Sequence, residues 1–189
     1  MALSRSKAVL LILLGIVLLL GVWTWTTYNG LVRAKAGLDT SWAQVETQYQ
    51  RRFDLIPNLQ ATVQGAADFE QETFTAVTAA RTQWQTAETR TEKVAAVNGF
   101  ESALSRLLVT VEAYPTLKAT EAFRDFMTQL EGTENRIATA RRDYNEEVRI
   151  FNVYTTIFPR NVLAGMFGYE PAAFFASDEA AADAPRVAF

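Results

Sequence analysis

The sequence predicts an all-α protein, with an N-terminal transmembrane helix followed by an elongated antiparallel helical bundle of about four long helices. Three observations carry this. No charged residue stands between positions 8 and 32. Beyond that run, apolar side chains recur at steps of three, four or seven, the spacing that keeps one helical stripe facing a partner. Pro57, Pro115 and Pro159 fall where those periodic runs break.

Taken in order, residues 1–7 form a short leading segment and residues 8–27 a transmembrane signal anchor. About 20 residues rising 1.5 Å each cross a hydrocarbon core of roughly 30 Å, and AVLLILLGIVLLLGVWTW is apolar nearly throughout. Trp23, Trp25 and Tyr28 stand at its downstream end, where amphipathic rings settle at headgroup level. A cleaved signal peptide is the alternative. Bulky tryptophan, where a cleavage site needs small residues, argues against it. Arg5 and Lys7 before the span are matched by Arg33 and Lys35 after it. Only the terminal amine tips the positive-inside rule toward an inward N-terminus, with the body outside the cytoplasm.

Leu31, Leu38, Trp42, Val45, Tyr49, Phe53 and Ile56 share one face of the next helix. The pattern resumes through Leu59, Val63, Phe74, Val77 and Trp84. Pro57 lies between the two runs; it lacks an amide donor and its ring clashes with the carbonyl four residues back. It either kinks one continuous rod or separates two helices, and Asp54 could cap the second with Pro57 in its first turn. Both arrangements stay open. Polar residues 83–91 are expected to form the first inter-helix loop, with Thr89 or Thr91 capping the next helix and Glu92 favourable at its positive end. That helix buries Val94, Val97, Phe100, Leu104, Leu107, Leu108, Val111 and Tyr114, and stops before Pro115. A short connection then makes it the antiparallel neighbour of the helix after it.

This last long helix is expected to run from near Thr120 to Phe158. Its stripe comprises Phe123, Met127, Leu130, Ile137, Tyr144, Val148, Phe151 and Phe158, but includes two charges one heptad apart, Glu134 and Arg141. Two turns separate this pair by about 10 Å, too far for an easy direct bond. A charge on a core face costs several kcal/mol unless paired, so each needs a partner on a facing helix. Arg52 and Asp54 beside the kink are suited to this, and the set is expected to form a structural polar network. If Glu134 and Arg141 both face the core, truncating either costs about 3–5 kcal/mol. Asn58, Asn145 and Asn152, with Asn29, are expected either to satisfy backbone groups freed by Pro57 and Pro159 or to line a partner groove. After Pro159, Val162, Leu163, Met166, Phe167, Phe174 and Phe175 are expected to fold back over one end of the bundle; a membrane- or partner-binding hook is the alternative. Residues 171–189 make an acidic tail whose composition from Ser177 onward suits disorder.

Composition limits the chemistry. The chain has no cysteine and no histidine, so most metal and nucleophile constellations are absent, and no cofactor is expected. Carboxylate bundles that hold metals recruit histidine as well. With Arg5 and Lys7 set aside, 16 basic residues face 21 acidic ones, near −5, a surface that does not draw nucleic acid.

Five strings, YNGLVRAK (28–35), RRFDLIPNL (51–59), YPTLKATEAF (114–123), GTENRIATARRDYNEEV (132–148) and FPRNVLAGMFGYEP (158–171), closely resemble the bacterial LemA family. The resemblance runs in order from Tyr28 to Phe175. It implies a single-pass protein of the bacterial inner membrane, with residues 28–170 as a LemA-like helical bundle, and it implies no catalytic or cofactor-binding residue. The expected function is a membrane-anchored, non-enzymatic scaffold or adaptor of the cell envelope, contacting the membrane through residues 8–27, other envelope proteins, or copies of itself. A carboxylate-dependent envelope hydrolase and a membrane-shaping or regulatory subunit acting through oligomerisation are the alternatives.

Overall fold

The structure, a computed structural model, describes residues 5–64 and 71–175, and among them it contains helices and no strand. Helix α1 (Arg5–Phe53) runs for 49 residues. It is followed by α2 (Ile56–Gln64), α3 (Gln71–Thr86), α4 (Arg90–Glu112), α5 (Pro115–Lys118), α6 (Glu121–Thr156) and α7 (Arg160–Met166). The first part of α1 is apolar on every side and exposed from Val9 to Val22; by length and composition it can cross a membrane. Helix α4 passes the same test of length and composition. It buries Val97, Phe100, Leu104 and Leu107, as a core helix does.

Pro57 separates α1 from α2 at a two-residue turn, Asp54 and Leu55. The helical ladder is nearly kept across the break: the Asp54 amide donates to the Gln50 carbonyl at 2.9 Å and the Leu59 amide to the Leu55 carbonyl at 3.2 Å. Pro57 itself lies in the first turn of α2, where its missing donor costs nothing. The polar stretch 83–91 is mostly helix, which corrects the expected loop. Only residues 87–89 connect α3 to α4, because Trp84 is buried and holds the end of α3 on the core. Thr89 caps α4 through a reciprocal pair: the Glu92 amide donates to Thr89 Oγ1 at 3.2 Å and the Thr89 amide to Glu92 Oε2 at 3.0 Å. The bonds from the Thr89 and Glu88 amides hold the Glu92 carboxyl below its ordinary value.

Two compact units divide the described chain, one within Met1–Trp42 and Asp143–Phe174, the other within Ala43–Arg142 and the residues from Phe175 onward. The boundary between the units falls inside the continuous helices α1 and α6. In the first unit these two helices run antiparallel. A Cβ added at Gly30 would lie 2.9 Å from the Tyr154 ring, and one at Gly37 would lie 2.6 Å from a Glu147 carboxylate oxygen. The interface buries Leu31, Leu38 and Trp42 with Tyr144, Val148 and Phe151. Phe158, expected in this stripe, lies beyond the end of α6 and is exposed. Helix α7 ends at Met166 and is closed by Gly168, which adopts the left-handed conformation (φ 73°); the Tyr169 amide donates to the Ala164 carbonyl and the Gly168 amide to the Gly165 carbonyl, a Schellman closure.

The expected fold-back after Pro159 is partial. Leu163 and Phe175 are buried, whereas Val162, Met166, Phe167 and Phe174 are exposed. Residues 171–175 do not behave as a loose tail: Asn152 Oδ1 accepts from the Ala172 amide at 2.7 Å, Asn152 Nδ2 donates to the Ala172 carbonyl at 2.9 Å, and Tyr144 donates to the Ala173 carbonyl at 3.2 Å. The rest of the expected tail, residues 176–189, lies outside the described residues.

Candidate functional site

The second unit is organised around a buried cation. Along α1 the steps Leu38, Trp42, Val45, Tyr49, Phe53 carry a core stripe, and Arg52 lies within it, three residues from Tyr49 and four from Ile56. Its side chain is 1% exposed. Helix α4 brings Glu101 and helix α6 brings Thr133 and Glu134. Arg52 Nη1 donates to both Glu101 carboxylate oxygens at 2.7 and 2.8 Å, Nη2 donates to Glu134 Oε2, and Nε donates to Thr133 Oγ1 at 3.2 Å. The Thr133 hydroxyl in turn donates a hydrogen bond to the Leu130 carbonyl at 2.7 Å. A planar guanidinium can serve three helices at once because its donors leave in a fixed fork. Burial raises the Glu101 carboxyl above its ordinary value, with Arg52 opposing and Glu134 adding to the rise.

An aromatic cluster lies against this clamp. Phe53 meets Phe100 edge-on at 4.7 Å and Trp84 at 5.6 Å, and Tyr49 meets Trp84 at 5.5 Å and stacks on Phe175 at 6.4 Å. The Arg141 guanidinium lies over the Phe175 ring, 4.5 Å from its centroid. Beside Trp84, Lys93 pairs with Glu46 and lies 5.4 Å from the indole ring.

The expectation that Glu134 and Arg141 both present their charges to the core is corrected. Glu134 is 64% exposed, because it stands at the stripe's edge and reaches sideways to Arg52. Arg141 is partly buried and covers an aromatic face. The charge removed from water is Arg52, so truncating Glu134 does not leave a counter-charge sealed in an apolar interior without Glu101. Asp54 stays outside the clamp, exposed, and accepts from Gln50 Nε2 at 2.7 Å. Asn58 is exposed on α2. Asn145 and Asn152 belong to the first unit, where Asn152 pins Ala172 rather than backbone freed by a proline. Sequence reasoning missed Glu101 and Thr133, and it expected Phe175 to fold back without naming Tyr49 and Arg141 as its partners. Glu101 was visible in principle: it falls four residues after Val97 and three before Leu104, on the apolar side of α4.

Tyr49 adds a test. Burial pushes its phenol far above the ordinary value, with Arg141 opposing, and its buried hydroxyl has no hydrogen-bond partner among the described residues. Tyr49→Phe is therefore expected to stabilise the protein by about 1 kcal/mol, seen as a higher melting midpoint. A lower midpoint would show that the hydroxyl has a bonded role.

These features define a class: a helical protein that holds a buried arginine clamp between helices and whose first helix opens with an apolar segment of membrane-spanning length. The chain belongs to the LemA family, whose family model matches residues 41–189. Among its relatives, Magnetosome protein MamQ 2 of Paramagnetospirillum magneticum is 39% identical over 89 residues, covering 47% of this chain and 32% of that protein. Magnetosome protein MamQ of Magnetospirillum gryphiswaldense is 35% identical over the same length and the same shares. The match thus spans about a third of those proteins. Protein LemA of Metamycoplasma hominis is 24% identical over 152 residues, 80% of this chain and 69% of the relative.

Proposed function

We propose that the protein is a membrane-anchored, non-catalytic scaffold that inserts residues 8–27 in the bacterial inner membrane and presents its helical body outside the cytoplasm to other envelope proteins or to copies of itself. The observation that carries this is α1. Leucine, isoleucine and valine side chains are exposed all around the helix from Val9 to Val22, and a helix apolar on every side needs either a protein core or a bilayer around it. The clamp supports the non-catalytic part, since Arg52 uses its donors on Glu101, Glu134 and Thr133 to join helices. The magnetosome relatives are named for a magnetosome rather than for a reaction, which fits a scaffold.

The test compares the full chain with a variant lacking residues 8–27. The full chain is expected to stay in the membrane fraction after an alkaline carbonate wash and the variant to be released. A C-terminal reporter that works only after export is expected to be active, and cross-linking in native membranes is expected to trap protein partners or a dimer. A full chain released by carbonate would sink the anchor, and a reporter active only in the cytoplasm would reverse the orientation.

A further inference from the structure

We infer that residues 157–167 rest in the membrane interface beside the anchor, as a second and non-spanning lipid contact. The inference rests on the proposed insertion of residues 8–27, and three observations within the first unit carry it.

The first is register. Gly37 stands opposite Glu147 and Gly30 opposite Tyr154, so each step back along α1 is matched by one step forward along α6. Continued for three more residues, that register brings the chain after α6 to the level of Thr27, where the anchor leaves the hydrocarbon. Ring contact between Tyr28 and Phe167, at 4.8 Å, returns the end of α7 to the same level. Both ends of the turn between α6 and Gly168 therefore lie at the level of Thr27 and Tyr28, at the downstream edge of the aromatic belt formed by Trp23, Trp25 and Tyr28.

The second is exposure. Ile157, Phe158, Val162, Met166 and Phe167 all face outward, with Phe158 at 76% and Met166 at 74%. Val162 and Met166 are four residues apart on the outer side of α7, while Leu163 and Ala164 fill its inner side. A short helix apolar on both sides, at the mouth of a span, matches a surface that is apolar on one side and wet on the other. A patch of this kind on a water-facing surface is otherwise unusual.

The third is charge. Between Glu147 and Glu170 there is no acidic residue; Arg149 is paired with Glu146 at 2.6 Å, so Arg160 is the cation this stretch offers. The Arg160 guanidinium lies over the Tyr154 ring at 4.7 Å, an arrangement that leaves a cation near the headgroups without burying it. Anionic headgroups meet no repulsion here. The occupant of the patch is thus a lipid surface rather than a second copy or a soluble partner.

The chain has no cysteine, so single-cysteine variants report one position each. Full-length Leu14→Cys, Ala36→Cys, Phe158→Cys and Met166→Cys are spin-labelled and placed in nanodiscs of phosphatidylethanolamine and phosphatidylglycerol. Collision rates with oxygen, which concentrates in lipid, and with a water-soluble nickel chelate are then measured. Labels at 158 and 166 are expected to collide several-fold less with nickel than the label at Ala36, and to approach the oxygen response at Leu14. A lipid response at Leu14 with Ala36-like behaviour at 158 and 166 overturns this inference and leaves the anchor intact. An aqueous response at Leu14 means the anchor itself has failed. Dipolar broadening between labels at 166 would show a second copy on the patch, which also overturns it.

Discussion

Replacing Arg52 with methionine is expected to destabilise the protein by about 3 kcal/mol, read as a lower melting midpoint of the full-length chain. Methionine fills much of the space, so the loss is chiefly electrostatic: Glu101 and Glu134 are left facing each other with nothing between them. Removing one partner of a buried ion cluster costs about 3–5 kcal/mol. The lower end applies because Glu101 is 31% and Glu134 64% exposed, and water can follow both carboxylates. Arg52→Lys should fall between the two, since an ammonium cannot serve Glu101 twice and Glu134 and Thr133 as well. Glu101→Ala should cost more than Glu134→Ala, as Glu101 supplies two bonds and is the more enclosed. A triple variant with apolar residues at 52, 101 and 134 should recover most of the stability, because no charge is then left unpaired. An Arg52→Met protein that melts like the parent would show that the cluster is not a structural clamp.

Phe53→Ala is expected to cost about 3–5 kcal/mol, the range for removing a buried aromatic side chain and leaving a cavity. The ring is fully buried and meets Tyr49, Trp84 and Phe100. Those neighbours sit on three helices, so the space cannot collapse without moving one of them. Phe53→Leu should retain more than half of the lost stability by refilling most of the volume. Near-equal melting of the alanine and leucine variants would contradict this packing.

The helices were largely legible from periodicity because burial follows the 3.6-residue repeat wherever side chains are apolar. Leu31, Leu38, Trp42, Tyr49 and Phe53 fall in the core as their spacing demands. Charged side chains follow the repeat less well. Glu134 and Arg141 share a heptad phase with Met127 and Val148, but long stems let one reach sideways to Arg52 and the other lie over a ring. Position on the wheel locates the Cα; it does not locate the charge. Polarity misled in the opposite sense at 83–91, where a single buried indole, Trp84, keeps α3 helical to Thr86. The fold-back of Phe175 was legible but its partner was not: it packs against Tyr49, 126 positions away, and no local pattern records such a meeting.

The continuity of α1 has a mechanical consequence. On the proposed reading the span ends at residue 27 and the first core residue is Leu31, about one helical turn later. A flexible tether would let the attached body sweep a volume that grows with linker length. Here there is no slack to sweep with. The paired stretch of α1 and α6 stands at a set height above the bilayer, and any tilt or roll of the anchor is delivered directly to Leu31, Leu38 and Trp42. On that reading, anything that meets the paired stretch must come to that height, and movement in the plane of the membrane, rather than reach away from it, sets the encounter.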